Sequence, residues 1–89
     1  MKAFKLSGDE KRIYFQNLNR IPAEEELAEV LKELKEAGCK IGAKEGAGLE
    51  DMYKCQWKGM QFTVFYTGEE AFIYSDKARL IGELMKVFE

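Results

Sequence analysis

The sequence predicts an α+β fold: a two-layer sandwich of one antiparallel sheet, with five or six strands, and two helices on one face of that sheet. The expected order is β-β-α-(β)-β-β-β-α. Alternating apolar and polar residues predict the strands, and apolar residues spaced three and four apart predict the helices. Short polar turns between the strands favour antiparallel neighbours. The 89 residues suit a single domain, residues 1–89.

The chain begins with a predicted hairpin. Residues 2–7 alternate, with Phe4 and Leu6 on one side of the strand. A polar turn at residues 8–11 contains Gly8 and leads into a second strand at residues 12–19.

The first helix is predicted over residues 22–37. Pro22 suits the first helical position, because its missing N–H costs nothing there. Three glutamates in the first turn complement the helix dipole, and Gly38 is suited to end the helix. One apolar stripe follows the helical repeat and consists of Leu27, Val30, Leu31 and Leu34.

Residues 40–44 form a short strand candidate, and the glycines that follow favour a mobile connection over residues 44–48. This glycine-rich stretch matches neither phosphate-loop pattern, because Ala43, Ala47 and Asp51 stand where those patterns need glycine. A nucleotide site is therefore disfavoured.

The second half predicts a meander of strands at residues 52–58, 60–67 and 71–75, with a tight turn at Lys58-Gly59. A final helix follows, with Ser75-Asp76 as its N-cap. Gly82 inside this helix costs about 1 kcal/mol relative to Ala, so we expect a close approach of another element to compensate.

Composition excludes several kinds of site. The chain has no His, which removes the usual general base and any catalytic site of the Ser-His-Asp or Cys-His type. Two Cys residues cannot complete a zinc site, so we expect no metal and no cofactor. No apolar run approaches 18 residues and the N-terminus lacks a signal peptide, so we expect a cytoplasmic protein that does not span a membrane. Cys39 and Cys55 are then expected to be reduced thiols that pack as small hydrophobic residues.

Eleven aromatic residues exceed what one helix-covered sheet face needs. Neighbouring rings in one strand, such as Phe15 beside Tyr14, point to opposite faces. We therefore expect a second set of rings to line the uncovered face and bind a partner. That set is predicted to comprise Tyr14, Tyr53, Trp57 and Phe65.

The first helix adds a second expected element of this surface. Residues 22–37 carry six Glu and two Lys, against a basic excess in residues 1–21. Such a bipolar surface orients a partner. Four glutamates, expected on the polar face, are predicted to form an electrostatic rim: Glu25, Glu29, Glu33 and Glu36.

These features favour a small, non-catalytic protein-binding module with a regulatory, inhibitory or immunity-type role. Two alternatives stay open: a homodimer that uses the same aromatic face, and a ligand-binding or enzymatic subunit with loop carboxylates Glu50, Asp51, Glu69 and Glu70. Cross-strand pairing without any binding role also accounts for the extra rings. Net charge of −2 and the absence of an RNA-binding aromatic motif disfavour nucleic acid as the partner.

Overall fold

The computed structural model describes residues 2–16, 20–46 and 50–89. It contains six strands and two helices in the order β-β-α-β-β-β-β-α. Their bounds are β1 Lys2–Phe4, β2 Arg12–Gln16, α1 Ala23–Glu36, β3 Lys40–Gly46, β4 Asp51–Trp57, β5 Met60–Tyr66, β6 Ala71–Tyr74 and α2 Ala78–Val87.

The six strands form one antiparallel sheet in the order β1-β2-β6-β5-β4-β3. The predicted hairpin and meander are both present, and β6 joins them by pairing with β2. The predicted continuation of β2 through residues 17–19 lies outside the described residues.

Both helices pack on the same face of this sheet, which we call the helix face. Fully buried residues of β2, β5 and β6 meet the apolar stripe of α1 and the buried residues of α2 in one core. At the end of α2 the ring of Phe88 stands edge-on to that of Phe15, with centroids 4.9 Å apart. The predicted two-layer arrangement, with helices on one side only, follows from this packing. The core side chains with no exposed surface are Ile13, Val30, Leu34, Val64, Ile73, Leu80, Ile81 and Leu84.

The boundaries of α1 agree with the prediction to within one residue. Pro22 occupies the N-cap instead of the first helical position, and its carbonyl accepts the N–H groups of Glu25 and Glu26. Gly38 follows the C-cap with φ of +96°, a conformation that glycine adopts without steric cost.

The strand candidate at residues 40–44 is present as β3 and is longer than predicted. β3 continues through Lys44–Gly46, where a mobile connection was expected, and a bulge lies between Ile41 and Lys44. A side-chain carbon on Gly42 would overlap the backbone carbonyl of Lys54, so glycine is required at this bulge. The rest of the predicted connection, residues 47–49, lies outside the described residues.

Two predictions about α2 were wrong. Ser75 does not cap the helix: its hydroxyl donates to the carbonyl of Gln61 and accepts the N–H of Lys77, which is the N-cap residue. The expected close approach at Gly82 is also missing, since a side-chain carbon there would meet nothing within 4 Å. Gly82 therefore costs helix stability without a packing reason.

Candidate functional site: the open face of the sheet

The face of the sheet opposite the helices, which we call the open face, receives alternate residues of every strand. The strand register determines which residues lie on the open face, because directly paired residues of neighbouring strands share a face. Paired partners of Ile73 are Ile13 and Val64, both in the core, so Phe72 and Tyr74 belong to the open face.

Four aromatic side chains form a continuous row across the open face. Phe4 pairs with Tyr14, Tyr14 with Phe72, and Phe72 with Phe65. Successive ring centroids are 5.9, 5.7 and 5.1 Å apart. Met52, the register partner of Phe65, extends this aromatic row onto β4. Each of these five side chains is partly exposed.

Neighbouring rings in the row pack against one another. The planes of Phe65 and Phe72 differ by 17°, and a centroid separation of 5.1 Å then requires an offset stack in which each ring covers part of its neighbour's face. The other two pairs are tilted, with interplanar angles of 31° and 32°. The four rings therefore form one continuous apolar ridge across the open face.

Polar and basic side chains form the neighbouring row of the open face. Arg12 pairs with Tyr74, Tyr74 with Thr63, and Thr63 with Lys54. The guanidinium of Arg12 lies 4.9 Å from the centroid of the Tyr74 ring, and it also forms an ion pair of 3.2 Å with Asp9.

A shallow depression of about 500 Å³ lies beside this basic row, across β3, β4 and β5. Its polar lining on the open face consists of Lys40, Lys54, Gln56, Gln61 and Thr63. The Lys54 ammonium is only loosely engaged, at 3.8 Å from the carboxylate of Glu45, and both side chains are more than half exposed.

Tyr14 and Phe65 lie on the open face as predicted, whereas Tyr53 and Trp57 lie on the helix face. Each is two residues from Cys55, which is 2% exposed in the core, so each shares its face and packs against that core. The open-face side chains of β4 are instead Met52, Lys54 and Gln56. This parity was available in the sequence, because Lys54 and Gln56 are costly to bury.

Sequence reasoning also missed two members of the row, Phe4 and Phe72. Their alternation was visible, but membership of one surface depends on the pairing of β2 with β6.

The predicted acidic rim does not border the aromatic row. Glu25, Glu29, Glu33 and Glu36 lie on α1, and Glu29, Glu33 and Glu36 line a shallow groove there with Lys32. Since α1 packs on the helix face, these glutamates and the aromatic row belong to opposite sides of the molecule. One partner surface cannot include both sets.

Glu26, on the same helix, is only 3% exposed. Burial raises the pKa of its carboxyl group, and the nearby carboxylate of Glu70 adds to the effect. A hydrogen bond from the backbone N–H of Ala71 acts in the opposite direction. Glu26 thus connects the first turn of α1 to the start of β6.

The four loop carboxylates of the enzymatic alternative are spread along one end of the sheet. Glu50 is exposed, Asp51 lies 3.9 Å from the Lys44 ammonium, and Glu69 and Glu70 are exposed in the turn before β6. Among residues 2–16, 20–46 and 50–89, no group of three or more acidic or cysteine side chains is arranged to hold a metal ion.

Cys39 and Cys55 are free and buried. Burial, with a smaller contribution from Cys55, raises the pKa of the Cys39 thiol to about 11. Burial also raises the pKa of Cys55, while hydrogen bonds from the backbone of Gly42 and Val64 oppose that rise. Thiols with raised pKa values are poor nucleophiles at neutral pH, in agreement with the packing role predicted for them.

Neither helix in the described part of the chain is long and apolar enough to cross a membrane. Comparison of the chain with models of protein families, with curated proteins and with solved structures gives no match.

Proposed function

We propose that this protein is a non-catalytic binding module that docks another protein on the open face of its sheet, in a regulatory, inhibitory or immunity-type role. One observation carries the proposal: four neighbouring aromatic rings run across adjacent strands on the side that α1 and α2 leave uncovered. The rings are partly exposed, and a contiguous apolar patch that the fold leaves uncovered is a candidate interaction surface.

Phe65 and Phe72 are the expected anchors of this interface. They form the tightest stack of the row and lie on β5 and β6, which have paired neighbours on both sides. Central strands hold side chains more rigidly than edge strands do, so these two rings lose little conformational freedom on binding. Aromatic anchors near the centre of an interface usually carry most of its energy.

We place this activity in the cytoplasm. Two buried free thiols support a reducing compartment, because secreted domains of this size commonly use their cysteines in disulfides.

Site-specific crosslinking in the native cell tests the proposal. A photoreactive benzoyl-phenylalanine in place of Phe65 is expected to capture one protein, and the same group in place of Lys32, on the outer side of α1, is expected not to. The captured protein, once purified, should bind the native chain directly.

Two matched variants then identify the surface. Phe65→Thr, a substitution that suits a strand, should weaken binding of the purified partner by about tenfold or more. Leu31→Ala, an apolar truncation on α1, should leave binding unchanged. Full-strength binding by a folded Phe65→Thr variant contradicts the proposal.

Sedimentation equilibrium tests the homodimer alternative. A monomer–dimer equilibrium that Phe65→Thr abolishes would make a second copy the occupant of the open face.

A further inference from the structure

Charges on the open face differ from those of the whole molecule. Among the described strand residues of this face, four are basic (Lys2, Arg12, Lys40 and Lys54) and one, Glu45, is acidic. The complete chain has a net charge of −2. Asp9, 3.2 Å from Arg12, and Glu50, beside Phe65 and Phe72, add two carboxylates next to these strands. The open face thus has a small excess of basic groups on an acidic protein, and this excess favours acidic partners.

The two flanks of the aromatic row are unequal. Arg12 and Lys54 follow it on one flank, and Lys40 lies one row further on the same side. Lys2 lies on the other flank, and Glu50 lines a small depression together with Arg12, Phe65, Phe72 and Tyr74. A partner thus meets an apolar ridge bordered on one side by cations.

We propose, on the basis of the docking function above, that the occupant of the open face is an amphipathic helix of another protein, with carboxylates along one flank of its apolar stripe. On a helix, an apolar stripe and a charged stripe run side by side and can contact one surface together. On an extended strand, alternate residues point to opposite sides, so carboxylates that alternate with apolar residues point away from the sheet.

Dimensions agree with a helix of ordinary length. The row from Phe4 to Met52 spans five neighbouring strands, or four spacings of about 4.8 Å, which amounts to about 19 Å. A helix rises about 1.5 Å per residue, so about 13 residues cover the row.

A second copy is a poorer occupant. Stacking two open faces opposes two sets of cations, which costs binding energy.

Single-stranded nucleic acid also fits less well. Base stacking needs accessible ring faces, and Phe65 and Phe72 at the centre of the row stack on each other.

Titration of ¹⁵N-labelled protein with two synthetic peptides of about 14 residues and one oligonucleotide tests the inference. The first peptide is helical, with a leucine stripe flanked on one side by Glu, and the second has Lys in place of each Glu. The oligonucleotide is a single-stranded oligouridylate. We expect the acidic peptide to bind at least about tenfold more tightly than the basic one and to shift the amides of Phe65, Phe72 and Lys54. Added salt should reduce this difference.

Three variants identify the side chains that account for peptide binding and for the preference for the acidic peptide. Lys54→Glu should weaken the acidic peptide about tenfold, while Lys32→Glu, the same charge change on α1, should have no effect. Phe65→Thr should weaken both peptides.

Equal affinity for the two peptides, or no effect of Lys54→Glu, overturns the acidic helix and leaves docking on the aromatic row in place. Binding that Phe65→Thr does not weaken contradicts the docking function itself. Failure of both peptides at about 1 mM, or tighter binding of the oligouridylate, overturns the helical partner.

Discussion

The two faces of this sheet use the same strands for different tasks. On the helix face, small aliphatic residues such as Ile13, Val64 and Ile73 are completely buried. On the open face, the residues beside them in the chain are rings that remain partly exposed, among them Phe65 and Phe72. A period of two therefore lets one strand provide a core and a binding surface at once.

Truncation of neighbouring residues in β6 tests this division most strongly. Ile73→Ala should lower the free energy of unfolding by about 2–4 kcal/mol, because it opens a cavity in the core. Phe72→Ala should lower it by only about 1 kcal/mol, because its ring stacks on neighbours at the surface. Urea unfolding measures both, and equal losses would mean that the two faces are equally structural.

Trp57 sharpens the same comparison. Trp57→Ala should lower the free energy of unfolding by about 2 kcal/mol, since the indole packs against the core. It should leave peptide binding unchanged, because the ring lies on the helix face. Reduced affinity of a folded Trp57→Ala variant for the peptide would show that this residue is part of the binding surface.

Glu26 makes the helix face sensitive to pH. Its folded-state pKa lies above the ordinary value of 4.5, so the folded protein holds this proton more tightly than the unfolded chain does. The corresponding stability is present below pH 4.5 and is lost as the pH rises through the raised pKa. Glu26→Gln keeps an acceptor for Ala71 and should be more stable than the native chain at pH 7, by less than the Ile73→Ala effect.

Thermal unfolding at several pH values checks the Glu26 prediction. The advantage of Glu26→Gln should disappear below pH 4.5. Glu29→Gln, on the exposed side of α1, is the matched control. A constant difference at every pH would contradict the assigned direction.

Gly82 gives the smallest expected effect. Gly82→Ala should stabilise the protein by about 0.5–1 kcal/mol, because alanine favours the helix and a side-chain carbon meets nothing within 4 Å. Differential scanning calorimetry should show a higher melting temperature. A lower one would indicate that α2 packs more closely at this position than the structure has it.

Local patterns predicted most elements of the fold. The limits of α1, the terminating Gly38 and the Lys58-Gly59 turn depend on residues that are close in sequence, and both turn residues have positive φ. β3 was harder to predict, because its glycines resemble a loop until the Lys54 carbonyl is placed beside Gly42. The predicted N-cap of α2 was wrong for a similar reason. The Ser75 hydroxyl donates to the backbone carbonyl of Gln61, which lies 14 residues away in the sequence.

For the candidate site, the sequence by itself determined that each strand has two sets of side chains and that the chain has more rings than its core needs. Tertiary structure alone decided which set faces the helices and which strands lie side by side. Phe4 and Phe72 belong to one row because β6 inserts between β2 and β5. Alternation is a local property of a strand, whereas register depends on partners that are distant in the chain.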